Sequence, residues 1–188
     1  MNRDAPVISA DRLDLITLST DVLRLSLARD VPAVERRLGI SVPADWFEEV
    51  GLIRFRLEQL AEDPTYLPWS VRAMSHRAER QMVGYINFHT KPGDPYLNAH
   101  APDGVEFGFE VFPPYRRRGF AREACHAIMK WAYERHRIPE FVVSISPENV
   151  PSLQLARSLG FERVGSHMDE RDGLEDVFKL TYRPRDAA

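Results

Sequence analysis

Apolar positions along the chain switch between a spacing of two and a spacing near 3.6, and the switches mark out the elements. Leu13, Leu15, Ile16 and Leu18 read as a first strand, ended by Ser19, Thr20 and Asp21. Thr20 or Asp21 can cap a helix running to Arg29, with Val22, Leu23, Leu25, Ser26 and Leu27 at its apolar positions. A second short helix is predicted over 32–38, with Gly39 placed to stop it. A third is predicted over 47–62, carrying Val50, Ile53, Phe55, Leu57 and Leu60 and ended by Asp63-Pro64. Trp46, Phe47 and Phe55 read as packing residues there. Strands follow near 69–75 and 81–88, and then a breaker-rich loop from Thr90 to Gly104. Residues 105–112 form a further strand, and Ala121, Ala124, Cys125, Ile128, Trp131, Ala132 and Arg135 recur at helical spacing behind it. The apolar run 141–146 reads as a buried strand, 152–159 as a two-turn helix closed by Gly160, and 161–168 with 174–182 as a hairpin turned by Asp172-Gly173. Residues 1–11 read as a loose lead-in and the tail from Pro184 as frayed. No repeat, low-complexity tract or linker divides the chain, so 1–188 reads as one domain.

Composition narrows the classes. The 44% hydrophobic and 28% charged fractions are those of an ordinary globular chain. A net charge of -3 argues against a nucleic-acid partner, so Arg116-Arg117-Arg118 reads as a local site. The single Cys125 excludes an internal disulfide and, among Ala121, Ala124 and Ile128, reads as a small buried hydrophobe. The start carries no secretory pattern and no apolar run reaches membrane-spanning length, so the expectation is a cytoplasmic protein with no membrane partner. The six histidines lack metal-ligand spacing, so no metal is assigned; His126 and His136 fall on expected helix surfaces.

The stretch that points to a function is Pro113-Pro114-Tyr115-Arg116-Arg117-Arg118-Gly119-Phe120-Ala121-Arg122. Two prolines end the strand, and a Gly-containing turn opens directly into a helix. The unpaired N–H groups and positive dipole end of a helix N-terminus make such a junction an anion site, above all for phosphate. Arg116-x-x-Gly119-x-Ala121 resembles the pyrophosphate-binding signature of the GNAT superfamily of N-acetyltransferases. Asn149-x-x-Ser152-x-x-Leu155-x-x-x-Leu159-Gly160-Phe161 resembles that family's second motif. The likeness covers roughly residues 70–183, and its closest flavour is that of ribosomal-protein N-terminal acetyltransferases. A segment from Gly39 to Trp46 is similar to an element of a bacterial subgroup whose substrates are generally unassigned.

The resemblance implies an α/β fold: a mixed, mostly antiparallel twisted sheet of about six to seven strands, flanked by helices and splayed between its central strands. It implies acetyl-coenzyme A as cosubstrate. Amides of Arg118, Gly119, Phe120, Ala121 and Arg122 would hold the pyrophosphate, with Arg116, Arg117 and Arg122 adding charge if their side chains turn inward. Val111 and Phe112 fall where the pantetheine arm pairs with the strand, and an N–H near Val111 would stabilise the oxyanion. Asn149 would hydrogen-bond the arm. The acceptor would be a small-molecule amine or a protein N-terminus, and the protein a monomer or homodimer.

An amine of pKa about 10.4 is neutral only to about four parts in ten thousand at pH 7, so a base helps. Glu106 and Glu110 share a strand face with Gly108 between them, which leaves room for a substrate. Glu106 sits near the place of the family's catalytic glutamate and ranks first; a solvated carboxylate is the bland alternative. Many relatives carry an acidic Tyr where this chain has Ala156, so the candidate acid is Ser152, which could also simply cap its helix. Some N-terminal acetyltransferases carry a base where this chain has Ser144. The rival function is a coenzyme-A-binding regulatory module that has lost catalysis.

Overall fold

Strands with alternating apolar residues line up in the order β1-β2-β3-β4-β5-β6-β8-β7. The computed structural model describes residues 6–169 and 173–183. The strands are β1 (Ile8–Ser9), β2 (Leu13–Thr17), β3 (Val71–His76), β4 (Gln81–Phe88), β5 (Val105–Val111), β6 (Glu140–Ile145), β7 (Glu162–Asp169) and β8 (Gly173–Thr181). The helices are α1 (Thr20–Leu27), α2 (Val31–Leu38), α3 (Ala44–Glu48), α4 (Val50–Glu62), α5 (Phe120–His136) and α6 (Val150–Leu159). Pairing is antiparallel for β1–β2, β2–β3, β3–β4, β6–β8 and β7–β8, and parallel for β5–β6. This is the expected mostly antiparallel α/β sheet, with eight strands rather than six or seven. The additional strand is β1: Ile8 and Ser9 pair with Leu15 and Asp14 where the sequence reads as a loose lead-in. No helix among the described residues is long and apolar enough to cross a membrane.

Two compact units divide the chain, one built from residues up to Asn87 with Phe109–Ala127, the other from Phe88–Gly108 with residues from Ile128 onward. In the first, Leu13, Leu15, Val71, Ala73, Val83 and Ile86 form the sheet side of the core, with Leu23, Trp46 and Ile53 from the helices. In the second, Phe88, Phe107, Phe141 and Phe161 meet edge to face around β5. The β5–β6 ladder is two residue pairs long, Val105 with Phe141 and Glu106 with Val142.

Local signals placed most ends correctly. Gly39 closes α2 at φ 70 and Gly160 closes α6 at φ 92, both in the left-handed region. Cys125 is buried and His126 and His136 are exposed, as expected. The cap of α1 is Ser19, one residue before the expected position. The predicted helix over 47–62 is two helices parted at Glu49, whose ψ of 38 leaves the helical range. Trp46 explains the break: its Nε1 donates to Ser26 Oγ at 2.9 Å and docks α3 on α1, so a tertiary bond overrides the local pattern. Phe55 does not pack inward; it is 45% exposed, and the buried stripe of α4 is Ile53, Arg56 and Leu60. Arg56 donates to Gln59 Oε1 at 2.6 Å, and burial lowers its pKa to about 10. The hairpin of β7 and β8 forms, while Asp172 of its expected turn and the tail from Pro184 lie outside the described residues.

Candidate active site

The turn between β5 and α5 belongs to the first unit. Phe112 N donates to Val83 O at 3.0 Å and ends the strand; a 3-10 turn over Pro113–Tyr115 follows. Arg117 at φ 62 and Gly119 at φ 81 then turn the chain through two left-handed residues into α5. Only at Gly119 does the residue type suit that backbone without strain. Glu123 N is bonded to Gly119 O at 3.2 Å, so the amides of Phe120, Ala121 and Arg122 precede the helical hydrogen-bond ladder.

Long-range contacts hold this turn in place. The buried Phe120 ring lies 5.2 Å from His76, with the Arg12 and Arg118 guanidinium carbons 4.8 and 5.0 Å above it. Arg12 Nη1 donates to Arg118 O at 3.0 Å. Glu123 accepts from Arg12 N, Arg12 Nε and Leu13 N at 2.6, 2.8 and 2.9 Å, so the one acid in the first turn is already bonded to β2 and its lead-in. Of the expected cationic side chains, Arg116 turns back along β5: Nη2 donates to Glu110 Oε1 at 2.6 Å and Nε to Val111 O at 2.8 Å. Arg118 pairs with Glu79 at 3.1 Å. Arg116 and Arg118 are thus held by carboxylates, while the amides of Phe120, Ala121 and Arg122 remain outside the helical ladder. Because Phe112 bonds Val83, strand alternation turns the amide of Val111 to the edge away from β4.

Glu106 belongs to the second unit and is not a solvated carboxylate. The residue is 3% exposed. Its N–H donates to Thr90 Oγ1 at 3.0 Å, and His89 N donates to its carbonyl at 2.8 Å. The loop after β4 covers this face, with Leu97 and Ala101 packed against Val142 and Val177. His89 Nδ1 stands 3.6 Å from Glu106 Oε1, an ion-pair distance rather than a hydrogen bond. Burial alone would raise the Glu106 carboxyl, but His89, the Ser144 hydroxyl and the charge of His167 outweigh it and hold it below the ordinary range. Tyr96 Oη lies 3.2 Å from His167 Nε2, and His167 Nε2 lies 3.6 Å from Glu175. Burial first, then the charges of Glu106, Glu175 and Asp169, push the Tyr96 hydroxyl up to about 12. Among the described residues no group of three or more His, Cys, Asp or Glu is arranged to hold a metal.

Two expectations about these residues change. The space over Gly108 is not open: a Cβ there would stand 2.6 Å from His89 Nε2. Sequence reasoning missed His89, whose only signal was its place one residue past a predicted strand. Ser152 is not a cap: Asn149 caps α6, its Oδ1 accepting from Ser152 N at 3.2 Å. The first turn of α6 begins at Val150, two residues earlier than expected, because Pro151 suits the start of a helix. Ala156 is buried, and Ser144 Oγ is buried with no well-formed hydrogen bond among the described residues.

The acetyltransferase (GNAT) domain family matches residues 12–162. An N-acetyltransferase 9-like protein of Caenorhabditis elegans is 43% identical over 139 residues, covering 64% of this chain and 68% of that protein. The uncharacterized N-acetyltransferase YnaD of Bacillus subtilis (strain 168) is 28% identical over 89 residues, covering 47% of this chain; the match spans about half of YnaD, 48%. The structure of RimL, a ribosomal L7/L12 alpha-N-protein acetyltransferase in complex with coenzyme A, superposes with a TM-score of 0.62 at 13% identity, covering 94% of this chain and 98% of that one. At that identity the likeness is one of fold.

Proposed function

The chain belongs to the GNAT acetyltransferase family, and on that premise we propose that it transfers an acetyl group from acetyl-coenzyme A directly to a primary amine, carried by a small molecule or a protein N-terminus. The observation that carries the reading is the strand–turn–helix of β5 and α5, with left-handed Gly119 opening a helix whose first amides precede its ladder. RimL, of the same fold, has been solved with coenzyme A bound, which supports the choice of cosubstrate.

In this reading the amides of Arg118 to Arg122 take the pyrophosphate, with Arg117 and Arg122 adding charge. The Val111 amide, turned from β4, donates to the thioester oxygen as it becomes an oxyanion. Phe112 fixes the end of that strand, and Asn149 retains its amide nitrogen for the pantetheine arm while its oxygen caps α6. Glu106 rather than Glu110 serves deprotonation, since Glu110 is paired with Arg116 at 2.6 Å. The Ser152 hydroxyl, released from capping by Asn149, supplies the proton to the departing thiolate. No metal takes part.

The test is isothermal calorimetry with coenzyme A, followed by thiol release from acetyl-coenzyme A across a panel of amines and peptides. Binding with amine-dependent release is the expected result; absence of coenzyme A binding overturns the reading.

A further inference from the structure

The helix that opens the proposed diphosphate cradle carries an acid, Glu123, in its first turn. A helix start presents roughly half a positive charge, and a whole negative charge in the same turn would outweigh it. The answer to this charge comes from 111 positions earlier in the chain, at the lead-in to β2.

Glu123 Oε2 accepts from Arg12 Nε at 2.8 Å, and Oε1 accepts from the amides of Arg12 and Leu13 at 2.6 and 2.9 Å. The carboxylate is drawn toward β2, and its side chain is only 13% exposed. The guanidinium is fixed as well. Its Nη1 donates to Arg118 O at 3.0 Å, its carbon lies 4.8 Å above the Phe120 ring, and Arg12 O accepts from Arg77 N at 2.9 Å. Nη2 faces the turn, 3.4 Å from the place a Cβ on Gly119 would take. One side chain thus lies against the carbonyl, the glycine, the ring and the acid of the same turn. All of these residues belong to the first unit.

We propose that Arg12 is a positioning residue for coenzyme A: it neutralises Glu123 and so leaves the amides of Phe120, Ala121 and Arg122 free to attract the diphosphate. Arg12 acts through Glu123 and has no need to reach the ligand. This rests on the coenzyme A reading above and adds to it a residue outside the turn and outside both motifs.

The neighbouring cations do not replace it. Arg77 also acts on Glu123, but it is bonded to Asp14 at 2.9 Å and to the carbonyls of Ala10 and Asp11. Arg118 is paired with Glu79 and Arg116 with Glu110. A guanidinium suits the place because its nitrogens point in fixed, separate directions, toward acid, carbonyl and glycine at once.

A tie between β2 and α5 and a charge that guards the cradle predict different things. If the pair only ties the two elements, losing either half does the same harm. If charge decides, the halves have opposite signs: losing Arg12 uncovers an acid, and losing the Glu123 charge uncovers a cation.

Calorimetry with coenzyme A on folded variants of the full chain separates the two. Arg12→Met should weaken binding about tenfold or more, and Glu123→Gln should not weaken it. The double variant should return to within about threefold of the wild type. For any amine that turns over, Arg12→Met should raise KM for acetyl-coenzyme A and leave kcat at saturation within about twofold. Equal losses in the two single variants, or a double variant as weak as Arg12→Met, overturn the proposal while leaving the coenzyme A reading standing. If Arg12→Met does not fold, Arg12→Lys decides: affinity kept within about threefold supports the role of charge, and a greater loss overturns it. Failure of the wild type to bind coenzyme A removes the reading itself, and this proposal with it.

Discussion

The turn over 113–122 belongs to the first unit and the surroundings of Glu106 to the second, and they are built in opposite ways. At the turn the chemistry is backbone: two left-handed residues and a helix start present N–H groups, while Arg116 and Arg118 are committed to Glu110 and Glu79. Around Glu106 the chemistry is side chains brought from the loop after β4 and from β6, β7 and β8, distant in sequence from Glu106. A backbone site tolerates changes of its side chains and is destroyed by a change of conformation. A side-chain site is lost atom by atom.

The largest effect should come from breaking the turn. Gly119→Asp forces a left-handed conformation on a residue with a Cβ and puts a negative charge in the proposed pyrophosphate cradle. Calorimetry on the folded variant should show coenzyme A binding weakened about a hundredfold, equivalent to about 3 kcal/mol. Arg118→Gln should weaken it less than about tenfold, because Arg118 is held by Glu79; a reversed order would place the binding energy in the side chains.

Next come the surroundings of Glu106. Gly108→Ala puts a Cβ against the tip of a side chain, not against backbone, so the imidazole can move and stability should hardly change. Steady-state assays should show kcat/KM lower by about tenfold or more with coenzyme A affinity intact. Loss of affinity in step with kcat/KM would mean that the two sites are not separable.

A smaller effect separates Asn149 from Ser152. Asn149→Ala removes the cap of α6 and should cost about 1 kcal/mol in denaturant unfolding. Ser152→Ala should change stability by less than about 0.5 kcal/mol. If Ser152→Ala were the more damaging, the capping assignment would be wrong.

The smallest effect is on the acid side of stability. The folded Glu106 carboxyl lies below its ordinary value of 4.5, so its contribution is present above that value and is lost as pH falls through the lowered folded one. Melting temperature measured from pH 7 to pH 3 should therefore favour the wild type over Glu106→Gln at neutral pH, with the gap closing below about pH 4.5. A gap that widens on acidification would reverse the direction of the shift.

The same contrast explains what the sequence could reveal. The turn was legible because prolines, a glycine and a helix start act on their own neighbours, and Gly39 and Gly160 were legible for the same reason. Glu106 was picked out by strand alternation and position, but its burial was not, because the groups around it, His89, Ser144 and His167, come from segments distant in sequence. His89 was hidden because the space above Gly108 is filled by a residue just past the end of β4, far from Gly108 in sequence. Trp46 broke a continuous helical pattern through a single bond to Ser26. Asn149 took the cap from Ser152 because helix formation reaches back through Pro151 to Val150, two residues before the expected start.

Acyl transfer itself is tested most directly by thiol release from acetyl-coenzyme A, with product mass measured on each amine and peptide of a panel. Release that depends on the amine, with the acetylated amine as product and no acetyl-enzyme accumulating, is the expected result. Tight coenzyme A binding with no amine consumed at any pH would contradict it and favour a binding module in place of an enzyme.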